Sequence, residues 1–130
     1  MKDYLTGLLV STVAVFAPIK AIILVTGILI FSDLITGIIA SKKREIKVDS
    51  AALRRTVTKI CVYHAAILLG FLVETFMIHG IIPVSKIAAG LIAVVEMKSI
   101  LENLDIINGH PLFKTLIQKL GSVNDQRKDD

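Results

Sequence analysis

The chain has 130 residues, 54% of them hydrophobic, with a mean hydropathy of +0.73 and a formal charge of +4. That is too apolar for an ordinary soluble domain of this size and points to one small integral membrane domain. The cations lie between apolar runs and the chain has no Trp, so the basic balance speaks for membrane topology and against nucleic acid.

Residues 4–17 form an apolar run of fourteen after Lys2. At 1.5 Å per residue this is ~21 Å of helix, short of a full bilayer core, so the segment either spans as a short helix or lies partly in the interface. Asp3, and Pro18 directly after Ala17, argue against a cleaved signal peptide, and the segment is expected to be retained. Pro18 and Lys20 break it from the next helix, through a tight hairpin or a kink.

The second segment, residues 20–41, carries one acidic residue, Asp33, within twenty otherwise apolar or small positions from Ala21 to Ala40. Those twenty reach ~30 Å, one hydrocarbon core. At about 100° per residue, Thr26, Asp33, Thr36, Gly37 and Ala40 share a narrow face. An aspartate at the membrane centre costs about 2.5–3.5 kcal/mol, and small residues allow close helix approach, so this face is expected to pack on protein.

A basic stretch follows, with Lys42, Lys43, Arg44, Lys47, Arg54, Arg55 and Lys59 against two acidic residues. The excess places this loop on the cytoplasmic side, against an anionic inner leaflet. Asp49 or Ser50 is the expected N-cap of the helix beginning at Ala51. The lone Cys61 reads as a small packed hydrophobe.

Residues 59–78 form a third segment, broken by His64 and Glu74, and residues 79–86 a charge-poor outer turn. His64 is expected to bond a neighbouring helix, with Asp33 as one available carboxylate, and Glu74 to snorkel to water. A fourth segment, residues 84–107, ends at Gly109 and Pro111. Glu96, Ser99 and Asn103 occupy a wedge about 60° wide on it, with Glu102 three residues after Ser99. This stripe either faces water in an assembled pore or bonds other helices within a static bundle. Lys98 and Glu102 are spaced for an i,i+4 ion pair.

Residues 112–120 form a short amphipathic basic stretch, and residues 121–130 a polar cytoplasmic tail. The expectation is an all-α integral membrane protein of three to four transmembrane helices, with residues 1–120 as a single domain. Its C-terminus is cytoplasmic. No paired metal-ligand spacing, nucleophile and base pair or phosphate-binding glycine loop occurs, so no enzyme activity, metal or cofactor is expected.

Two blocks resemble the phage holin family of the toxin-secretion and phage-lysis type. Asp33-Leu34-Ile35-Thr36-Gly37, followed by a basic loop with Ser50 and Lys59, is similar to its D-x-x-T-G motif and S…K loop. Glu96 to Asn103, with Gly109 and Pro111, resembles its E-x-x-S-I-x-E-N…G-x-P ending. The likeness implies a homo-oligomer in the bacterial cytoplasmic membrane that opens lesions, through which an endolysin reaches the cell wall without necessarily touching it. In clostridial relatives the same architecture accompanies toxin release. The competing functions are a non-lytic, virion-associated ejection component, a secretion-type membrane protein and a small transporter, although the chain shows no internal repeat of the transporter kind.

Overall fold

The computed structural model describes residues 1–111, 113–116, 118 and 119, and among these there is no strand. Four α-helices follow one another: α1 (Lys2–Phe16), α2 (Lys20–Lys43), α3 (Ser50–Phe76) and α4 (Val84–Asn108), with a 3-10 turn at Ala17–Ile19 between the first two.

Pro18 sits at the start of that turn, where its missing N–H leaves no helical bond unmade. Phe16 and Ile19 keep right-handed backbone angles, with ψ of 0° at each, so the chain does not reverse. Of the two sequence alternatives the hairpin does not form. Helix α1 accordingly has no buried residue. Its Thr6, Ser11 and Thr12 hydroxyls donate to carbonyls one turn back at 2.8–2.9 Å, which hides them within the helix itself.

Helix α2 ends where Glu45 enters the left-handed region at φ 59°. Asp49 takes the N-cap position of α3 in extended conformation, but its carboxylate accepts from the Ser50 hydroxyl and caps no backbone N–H. Helix α3 runs unbroken from Ser50, so the cation-rich turn and the third apolar segment form one helix. His79 and Gly80, at φ 52° and 75°, turn the chain into α4. Helix α4 matches the expected fourth segment, and Gly109 closes it in the left-handed region at φ 78°, its N–H donating to Asp105 O at 2.9 Å.

Helices α2, α3 and α4 pack as a bundle in which α2 and α4 run the same way and share the most extensive contact. The inward residues are Ile19 of the 3-10 turn with Ile23, Thr26, Ile30, Asp33, Gly37 and Ala40 of α2, and Ser85, Ala89, Ile92, Glu96, Ser99 and Asn103 of α4. Both series alternate steps of four and three, the seam spacing of coiled-coil packing. One half of the seam is apolar, built on Ile19, Ile67, Phe71, Ala89 and Ile92, with the Phe16 and Phe71 rings 6.0 Å apart. A Cβ at Gly70 would meet the Ser85 backbone nitrogen at 3.3 Å, so this glycine sets the closest approach of α3 to α4.

The other half of the seam is polar, and the bundle's exterior is apolar: Leu24, Ile28, Phe31, Leu69, Leu91 and Val94 are all exposed. This inverts the pattern of a soluble bundle. Two helical runs, Lys2–Lys43 and Ser50–Phe76, are long and apolar enough to cross a membrane. Beyond α4, residues 113–116 and 118–119 are helical. Asp105 accepts from the Phe113 and Lys114 backbone N–H groups at 3.0 and 3.2 Å and so caps this stretch. The expected polar tail, residues 121–130, lies outside the described residues.

Candidate functional site

The polar half of the seam is organised by Lys59. Lys59 shares a face of α3 with Tyr63, Ile67 and Gly70, and that face turns toward α2 and α4. Its ammonium donates to Asp33 Oδ2 on α2 at 2.8 Å and to Glu96 Oε2 on α4 at 3.0 Å. One cation therefore ties three helices together. The Glu96 side chain is 0% exposed, whereas Asp33 and Lys59 are 15% and 30% exposed.

The second layer lies toward the basic end. The Asn103 amide donates to Asp33 Oδ1 at 3.3 Å and to Thr36 Oγ1 at 3.2 Å. Thr36 in turn donates to the Ser32 carbonyl at 2.9 Å, which leaves its oxygen free to accept. A Cβ at Gly37 would sit 3.5 Å from the Asn103 amide nitrogen, so the glycine gives this amide room.

The cluster is not fully satisfied. Two carboxylates share one ammonium, and Glu96 Oε1 is buried without a hydrogen-bond partner. The Tyr63 hydroxyl, one turn beyond Lys59, lies beside Glu96. A buried ion pair is no great source of stability, because desolvation offsets its attraction, but removing one partner is costly. Such a cluster fixes register and is sensitive to any change in its partners.

A cavity of about 420 Å³ leads to this cluster from the basic end, with Arg44, Lys47 and Arg55 along its outer lining and Lys59, Ser99 and Asn103 deeper in. Water thus has a route to one side of the polar seam.

Of the sequence-identified packing residues, Thr26 is buried and Asp33, Thr36 and Gly37 are partly buried, all facing the bundle. Of the stripe, Glu96, Ser99 and Asn103 point inward. Glu102 does not: it is exposed, with Lys98 at 3.8 Å as its i,i+4 partner. An exposed pair of this kind contributes about 0.3–0.5 kcal/mol.

The basic residues divide. Lys42 and Lys43 lie in the last turn of α2, where Lys43 Nζ donates to the Ile107 carbonyl at 2.6 Å. Arg44 and Lys47 are in the connection, and Arg54 and Arg55 in the first turns of α3. Lys59, grouped by sequence with these surface cations, is instead drawn into the bundle.

Two further expectations are corrected. His64 does bond the neighbouring α2, but through Thr26 Oγ1 at 3.3 Å and the Ile23 carbonyl at 3.1 Å, because Asp33 lies farther along the helix beside Lys59. Glu74 does not snorkel. Its Oε2 accepts from the Ser85 N–H at 3.1 Å and the Ser85 hydroxyl at 2.7 Å, capping the start of α4.

Sequence reasoning placed Asp33 on a packing face, left the Glu96 stripe open between a pore surface and a static bundle, and did not join the two through Lys59. The available signal was the spacing from Lys59 to Tyr63, Ile67 and Gly70, which sets the lysine on the packed face of α3.

No curated protein and no solved structure matches the chain. The sequence profile of the Bacteriophage holin family matches residues 10–125, nearly the whole length and both polar blocks of the seam. With an apolar exterior, helices able to cross a membrane and a family match of this extent, the chain belongs to the Bacteriophage holin family.

Proposed function

We propose that the protein acts as a phage holin. In this reading it accumulates in the host cytoplasmic membrane with its basic end and C-terminus inside, associates with copies of itself, and opens lesions that release an endolysin. The observation that carries the reading is the ion cluster beneath an apolar surface, in which two carboxylates, one of them enclosed, share a single ammonium.

The mechanism follows from the scarcity of partners. In lipid, Asp33, Glu96 and Asn103 are tolerable only while paired with protein. At low density each chain pairs them internally, Asp33 and Glu96 through the single Lys59 ammonium and Asn103 through Asp33 and Thr36. As density rises, α2 and α4 of neighbouring copies offer the same groups, and pairing shifts from within chains to between them. Glu96, Ser99 and Asn103 then face water along the lesion, while the exposed Lys98 and Glu102 stand where a neighbouring copy can meet them.

Induced expression in a bacterium, with membrane potential followed in time, tests this. Abrupt depolarisation after a delay, with lysis once an endolysin is coexpressed, is the expected result. A membrane that stays polarised at every expression level contradicts it.

A further inference from the structure

Arg44, Lys47 and Arg55 line the cavity, and among the described residues none of them forms an ion pair. Among the described residues the ion pairs are Lys59 with Asp33, Lys59 with Glu96, and Lys98 with Glu102. Arg44, Lys47 and Arg55 on the cavity lining therefore face no carboxylate of their own. The lining also holds Asp49, whose carboxylate accepts from the Ser50 hydroxyl. Counting Asp33 and Lys59, four cations line the space against two carboxylates.

Two other features favour an anion. The first turn of α3 borders the cavity at Asp49 and Ala52 without a side-chain cap, the Ala52 N–H itself donating to the Asp49 carbonyl at 3.0 Å. The lining also includes the apolar Ile46, Val48 and Ile106. A tetrahedral oxyanion suits guanidinium groups, which present bidentate donors, and apolar lining residues suit carbon attached to it.

We propose that this cavity binds the phosphate group of an anionic phospholipid headgroup. The site differs from general attraction of a basic loop to a charged surface. It takes one phosphate per chain and depends on cations inside the cavity, not on the loop's total charge. It stands whether or not the protein opens lesions.

The test uses the full-length protein in neutral detergent, titrated with a short-chain phosphatidylglycerol and, separately, with inorganic phosphate. Saturable binding of one lipid per chain is expected. Arg44→Gln with Arg55→Gln weakens it about tenfold, whereas Lys42→Gln with Arg54→Gln, the same charge removed outside the cavity, changes it by about twofold or less. If the first pair loses its helical circular-dichroism signal, Arg44→Lys with Arg55→Lys replaces it, with an expected loss of about threefold because charge stays while the planar fork goes. Competition by inorganic phosphate supports recognition of the phosphate alone. Lipid binding that free phosphate does not displace supports recognition of the phosphate together with its glycerol. Binding that never saturates, or equal losses from the inner and outer pairs, overturns the proposal.

Discussion

Lys59 Nζ lies 3.0 Å from Oε2 of Glu96, a carboxylate that is wholly enclosed. The same ammonium reaches Asp33 at 2.8 Å, so the loss of one side chain strands two carboxylates.

Replacing Lys59 by Met is therefore expected to destabilise the bundle by about 3 kcal/mol, the scale for breaking a buried pair by removing one member. The neutral triple variant Lys59→Met, Asp33→Asn, Glu96→Gln recovers most of that loss. Unfolding in mixed micelles monitored by circular dichroism measures both. In cells, Lys59→Met shortens the delay before depolarisation.

Asp33 and Asn103 should be energetically coupled. A double-mutant cycle with Asp33→Asn and Asn103→Ala is expected to give about 0.6 kcal/mol, the average for interhelical hydrogen bonds in membranes. A cycle between Asp33 and His64 gives no coupling, since His64 bonds Thr26 and Ile23 instead.

Gly70→Ala is expected to cost about 1–3 kcal/mol, because the new methyl meets the Ser85 backbone and Val84 at 3.3 Å, and backbone cannot yield as a flexible side chain would. Gly90→Ala, where a Cβ meets nothing within 4 Å, leaves the unfolding midpoint unchanged or slightly raised.

The Glu74 cap predicts a directional result. Glu74→Ala and Ser85→Ala each lower the melting temperature, Glu74→Ala by more because it removes both hydrogen bonds whereas Ser85→Ala removes the hydroxyl bond alone, and the double variant lowers it by less than the sum because that hydroxyl bond is shared. Thermal scans of the four proteins in one detergent check this.

Helix existence and ends were largely legible, because they are written in local chemistry. Gly109 ends α4 where a left-handed residue is needed, and Asp49 precedes α3. The packing face of α2 was also legible, since Asp33 stands out against apolar neighbours, whereas the polar stripe of α4 was visible but its orientation stayed open, because helical spacing groups residues on a face without saying what that face meets. The junction at Pro18 was not, because a proline permits either reversal or continuation and only the surrounding packing decides. Lys59 was misgrouped for a related reason. Charge counting along the chain places a lysine by its neighbours in sequence, whereas its partners come from two other helices, 26 and 37 residues away.

The central claim is that Glu96, enclosed in the resting chain, meets water when the membrane opens. In a chain with Cys61→Ala, single cysteines at Ile92 and at Glu96 report on it, the first leaving every ion pair intact. The account predicts that both resist a membrane-impermeant maleimide before depolarisation and react soon after it. Full labelling beforehand, or continued protection of both positions in a fully depolarised membrane, would contradict it.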